Sequence, residues 1–123
     1  MAYDFVITLT PQVETKGNTC YDTVKEELGY EPITTFWTDF SIADKFGPDA
    51  VKDTYKRVLE EWKSDYKYLT ELVMVLNHKS WEKYKKGDSE LGELYSDLFY
   101  SAQAYAYANL KEQELDYFCR TTD

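Results

Sequence analysis

Residues 48–86 read PDAVKDTYKRVLEEWKSDYKYLTELVMVLNHKSWEKYKK, and the fold turns on how this stretch is divided. From Val51 the apolar side chains Tyr55, Val58, Leu59 and Trp62 recur at helical spacing, and Tyr66, Leu69, Val73 and Leu76 continue almost in phase. Neither Gly nor Pro interrupts residues 49–86. A single helix over that length would run about 57 Å, longer than the diameter expected of a compact domain of this size. The stretch is therefore expected to fold as a helical hairpin with its turn near Ser64 and Asp65. Pro48 suits a first helical position, where its missing N–H would be unpaired anyway, and Asp49 complements the positive end of the helix dipole. In the second half Leu69 and the run Leu72 to Leu76 are apolar nearly all round, which marks a central core helix. Lys83, Lys85 and Lys86 close it as the dipole favours, and Gly87 ends it.

Outward from this hairpin the same signals recur. Thr38 with Asp39 reads as a helix start, with Phe40, Ala43 and Phe46 on one face before Gly47 stops it. Downstream, Asp88 or Ser89 caps a helix whose Leu91, Leu94, Leu98, Ala102 and Tyr105 alternate by three and four, with Asn109 as a stop. A last short helix from Lys111 to Cys119 would dock Leu115 and Phe118. Near the N-terminus, Phe5, Ile7 and Leu9 alternate at period two before Pro11, the pattern of a short strand or extended arm. Asn18 or Thr19 would cap a short helix that ends at Leu28 and Gly29. The expectation is a mostly α chain: a single domain over residues 1–123, a compact bundle of about five or six helices, with residues 1–17 as an extended or frayed arm.

Composition narrows the function. The formal net charge is −9, spread unevenly: residues 1–47 carry 3 basic and 8 acidic side chains, residues 48–86 carry 9 and 7, and residues 87–123 carry 2 and 8. An acidic chain releases few counterions from a phosphate backbone, which argues against non-specific nucleic-acid binding and against anionic membrane surfaces. No stretch approaches the roughly 18 apolar residues of a membrane span, and the start lacks a secretory pattern, so a cytoplasmic protein is expected. Cys20 and Cys119 stand far apart without metal-ligand spacing and read as two reduced thiols.

Residues 40–58, FSIADKFGPDAVKDTYKRV, look like a helix-turn-helix, whose second helix would present Lys52, Lys56 and Arg57 to DNA. The match is partial: Val51 comes early, Asp53 takes a core position, and Asp49 and Asp53 would repel phosphate. The test of this alternative is whether the three cations share an exposed face clear of acidic neighbours. His78 has Glu82 at i+4, but one such pair does not make a metal centre, and no HExxH pattern, GxSxG elbow or Gly-rich phosphate cradle occurs. No catalytic residue, metal or cofactor is expected.

Tyrosine is the anomaly, at 12 of 123 residues, with Tyr95, Tyr100, Tyr105 and Tyr107 close together. Tyr100 and Tyr107 lie seven apart on one helix face, off the leucine stripe, and Glu90, Glu93 and Asp97 also line a face other than that of the leucines. Acidic first-turn residues are commonly just a solvated face. Tyr, with an apolar body and polar tip, serves interfaces and half-buried core positions alike. The five residues Glu90, Glu93, Asp97, Tyr100 and Tyr107 form the candidate interaction surface.

The stretches TTFWTDFSIADKFGPDAVKDTYKRV and YKYLTELVMVLNHK resemble small uncharacterised proteins of phage and conjugative elements of gut bacteria, over residues 30–123. The resemblance implies a mobile-element protein that acts by binding; it supplies no activity and no catalytic residues. The leading expectation is a non-enzymatic protein-protein interaction module, a homodimer being one form. In its sharper form it is an acidic anti-defence or DNA-mimic protein, since carboxylates interleaved with aromatics can imitate a phosphate backbone.

Overall fold

The computed structural model describes residues 25–26 and 28–122. The expected arm at 1–17 and the cap at Asn18 or Thr19 lie outside the described residues, as does Cys20. Lys25, Glu26 and Leu28 are helical, and Gly29 N donates to Lys25 O at 2.9 Å where that turn stops.

Residues 33–122 hold five helices: α1 Phe36–Asp44, α2 Pro48–Trp62, α3 Tyr66–Lys85, α4 Ser89–Asn109 and α5 Glu112–Thr122. The hairpin expected at Ser64 and Asp65 is present. Lys63 N donates to Leu59 O at 2.8 Å, and Asp65 then turns extended and caps α3, its Oδ1 accepting from Lys67 N at 3.0 Å and Tyr68 N at 3.4 Å. An aspartate at this position satisfies helix N–H groups that would otherwise lack partners, which is why the shared apolar phase still breaks here. Asp88 does the same for α4, accepting from Leu91 N at 3.1 Å.

Helix α3 is central, touching α1, α2, α4 and α5, with its most extensive contact against α4. Its Leu69, Leu72, Val73, Val75 and Leu76 are fully buried, as the all-round apolar pattern requires. α2 contributes Val51, Tyr55 and Val58. α4 turns Leu91, Gly92, Tyr95, Ala102 and Ala106 inward, so its buried line runs beside the expected one, with Leu94, Leu98 and Tyr105 at its edge.

Two expectations near α1 are corrected. The helix starts at Phe36 instead of Thr38, because Phe36 and Trp37 are both buried and the chain must already be helical to place them together. Phe46 lies beyond the last turn and is 77% exposed, since Gly47 at φ 102° redirects the backbone into α2. That φ belongs to the left-handed side of the map, where a Cβ is strained. Ahead of α1, the buried Glu71 of α3 fixes the incoming chain, accepting from Ile33 N at 3.0 Å and from the Thr34 hydroxyl. Among the described residues no helix is long and apolar enough to cross a membrane.

Candidate functional site

Helix α4 carries the candidate surface. Glu90, Glu93, Asp97, Tyr100 and Tyr107 are all exposed, and with Ala104 between the tyrosines they recur by three and four, so they share one stripe. From Glu90 to Tyr107 the stripe runs about 26 Å along the helix. α4 contains neither lysine nor arginine. Among the described residues none of the three carboxylates has an ion-pair or hydrogen-bond partner. Glu90 stands in the first turn, where an acid complements the dipole, but Glu93 and Asp97 lie beyond that reach. The two tyrosines differ. Tyr100 is 62% exposed with Phe99 as a ring neighbour at 5.0 Å, whereas Tyr107 packs edge-on against Phe118 of α5 at 5.7 Å.

The stripe borders a groove of about 200 Å³ between α3 and α4. Trp81 and Tyr84 of α3 form one wall, Phe99 and Tyr100 of α4 the other. Trp81 is 62% exposed, an unusual position for the largest aromatic side chain in a chain with ample core to hold it. Close packing of the two helices creates the groove. Ser80 Oγ donates to Gly92 O at 2.9 Å, and the Tyr84 ring lies so near Gly92 that an added Cβ would sit 3.0 Å from three of its atoms. Trp81 and Tyr84 could have been found from sequence only as aromatics on the far side of a helix already assigned to the core.

A second constellation gathers charge inside the bundle. Lys79 is 1% exposed; its Nζ donates to Glu82 Oε1 at 2.7 Å and to Ser41 Oγ at 3.1 Å, forms an ion pair with Asp44 Oδ2 at 2.7 Å, and lies 4.7 Å from the Trp37 ring centre. Lys83 Nζ reaches the same Asp44 oxygen at 2.8 Å, and Lys86 approaches Glu82 at 3.5 Å. The Tyr95 hydroxyl donates to Asp44 Oδ1 and, at 3.3 Å, to Phe40 O. Burial pushes the Tyr95 phenol up, and the Asp44 carboxylate raises it further, so it stays protonated as a donor. For Glu82, burial pushes upward, but the hydrogen bond from Lys79 and the charges of Lys79, Lys86 and Lys83 outweigh it and hold the carboxyl below its usual value. Lys83 is lowered by burial and raised more by the Asp44 hydrogen bond and carboxylate charge.

These groups line a polar hollow of about 390 Å³ that opens past Lys45 and Lys86. Its chemistry is structural: two carboxylates and three ammonium groups tie α1 to the end of α3, and Tyr95 adds α4. Lys79, Glu82, Lys83 and Lys86 stand at i, i+3, i+4 and i+7, a legible pattern. Asp44, the residue that draws Lys79 inward, was not legible.

The remaining candidates fall apart in space. His78 is half-buried, while Glu82, its i+4 neighbour, is engaged by lysines. Among the described residues no group of three or more His, Cys, Asp or Glu side chains is arranged to hold a metal ion. On α2, Lys52, Lys56 and Arg57 are exposed, but so are Asp49, Asp53, Glu60 and Glu61, and Arg57 Nη1 lies 3.8 Å from Glu61 Oε1. The cations therefore do not have a face clear of acidic neighbours. No family model matches this chain, and neither a curated protein nor a solved structure matches it.

Proposed function

We propose that this chain is a cytoplasmic, non-enzymatic protein-interaction module of a mobile genetic element, and that α4 is its contact element. The supporting observation is the 26 Å stripe on which exposed, unpaired carboxylates run into exposed tyrosines on a helix without a basic residue. Glu93 and Asp97, exposed, without partners and beyond the reach of the helix dipole, gain little for the fold, whereas a basic partner would meet them with complementary charge and the tyrosines with apolar area. A nucleic-acid-binding protein, whose phosphate-contacting lysines and arginines such a face would occupy, is the partner class of this chemistry and the sharper, DNA-mimic form of the reading.

The experiment is binding of a fluorescent lysine-rich peptide at low and moderate salt to the wild-type protein and to two triple variants. Glu90→Lys/Glu93→Lys/Asp97→Lys reverses the stripe; Asp49→Lys/Asp53→Lys/Glu112→Lys makes the same change in net charge at exposed acids elsewhere. The expected result is salt-sensitive binding lost far more in the first variant than in the second. Equal losses would reduce the effect to net charge and overturn the reading. Binding of a mixed-sequence DNA duplex that is lost with Lys52→Glu/Lys56→Glu would replace it with the helix-turn-helix alternative.

A further inference from the structure

We infer that the groove between α3 and α4 is an aromatic seat for an arginine side chain of the partner. The inference rests on the reading of α4 as the contact element and names the group that anchors there.

Trp81, Tyr84 and Tyr100 keep large ring areas in water at 62%, 45% and 62% exposure around one opening of about 200 Å³. Rings so arranged attract a cation through their negative faces, and Trp does so most strongly. Tyr84 is a firm wall, since its ring rests on Gly92. The polar lining favours a donor. Ser80 has committed its proton to Gly92 O, leaving its oxygen only acceptor capacity, and Asn77 and Ser96 contribute further polar atoms. A purely apolar plug would cover these groups without pairing them, which is costly. Glu93 precedes Ser96 and Tyr100 by three and seven residues, on the same ridge of α4, so an exposed carboxylate stands one turn before the residues that line the groove. A planar guanidinium stacks on rings, sheds water more easily than an ammonium and offers donors to both carboxylate and hydroxyl, so arginine fits this lining better than lysine.

The test uses the 123-residue chain and three hexapeptides of the form Gly-X-X-Gly-X-Gly with X as arginine, lysine or citrulline. Affinity is measured by fluorescence anisotropy, and the indole N–H signal of Trp81 is followed by NMR. The variants are Trp81→Leu, at an exposed position whose change leaves the core intact, and the α4 triple reversal. The expected order is arginine over lysine over citrulline, with arginine above citrulline by at least about two- to fivefold, the increment of an exposed cation–π contact. The Trp81 signal should shift with the arginine peptide, and Trp81→Leu should erase the arginine preference. If Trp81→Leu binds the arginine peptide as wild type does while the triple reversal weakens it, the seat is refuted and the α4 interaction reading stands. If neither variant matters, or the wild type does not bind at low salt and millimolar peptide, both fall. A Trp81 shift that tracks protein concentration without peptide, with a dimer mass by light scattering, would give the groove to a second copy and overturn the arginine assignment.

Discussion

Removing Asp44 should destabilise the bundle far more than removing Lys79, although the two form one buried ion pair. The structure contains three ammonium groups, on Lys79, Lys83 and Lys86, around two carboxylates, on Asp44 and Glu82. In Asp44→Ala, Lys79 at 1% exposure keeps only Glu82 and Ser41, and Lys83 is left 3.7 Å from Glu82. Tyr95 also loses its carboxylate acceptor. Breaking a buried pair so that a charge stays uncompensated costs about 3–5 kcal/mol. In Lys79→Met the count becomes two for two: Asp44 keeps Lys83 at 2.8 Å, and Glu82 keeps Lys86 at 3.5 Å. The thioether can pack on Trp37 where the ammonium lay, so the loss is about 1–2 kcal/mol. With a urea m-value of about 1–2 kcal/mol/M, the two unfolding midpoints should lie roughly 0.5 M or more apart. Urea titration followed by far-UV circular dichroism measures this directly, and the double variant should be no less stable than Asp44→Ala because the stranded ammonium is gone. A midpoint for Lys79→Met at or below that of Asp44→Ala would refute the charge count as the source of stability.

Three further outcomes are expected. Because the folded Glu82 carboxyl is held below its ordinary value near 4.5, its contribution is present above that pH and is lost as pH falls through the folded value; Glu82→Gln should be less stable than wild type at pH 6 and converge with it toward pH 2, read by thermal melts across that range. The Tyr55 hydroxyl is buried without a hydrogen-bond partner, so Tyr55→Phe should be neutral or stabilising by up to about 1 kcal/mol in chemical denaturation, and a loss above that would mean the hydroxyl is paired. Gly92→Ala gains about 1 kcal/mol of helix propensity and must displace the half-exposed Tyr84 ring, so stability should change by less than that amount while arginine-peptide affinity falls; unchanged affinity would show that Tyr84 is no wall of the groove.

Local chemistry in the sequence was sufficient for most of the helices. Pro48 and Gly47 mark one boundary and Asp88 another, and the hairpin at Ser64 and Asp65 follows from length together with a capping aspartate, because caps and turns are settled within a few residues. The solvent stripe of α4 was equally legible, since spacing by three and four places Glu90 through Tyr107 together whatever the helix packs against. Tertiary structure decided what each helix meets. Lys79 reads as one more lysine near a basic helix end, yet it is buried because Asp44, 35 residues earlier, and Trp37 converge on it. Tyr95 reads as one of four clustered tyrosines with nothing local to set it apart, yet Asp44 and Phe40 receive its hydroxyl inside the bundle. The groove at Trp81 exists only because Gly92 lets α4 approach α3 closely enough to lay Tyr84 flat. Helical periodicity is a property of neighbouring residues, whereas these sites depend on the register between helices, set by packing across the whole core.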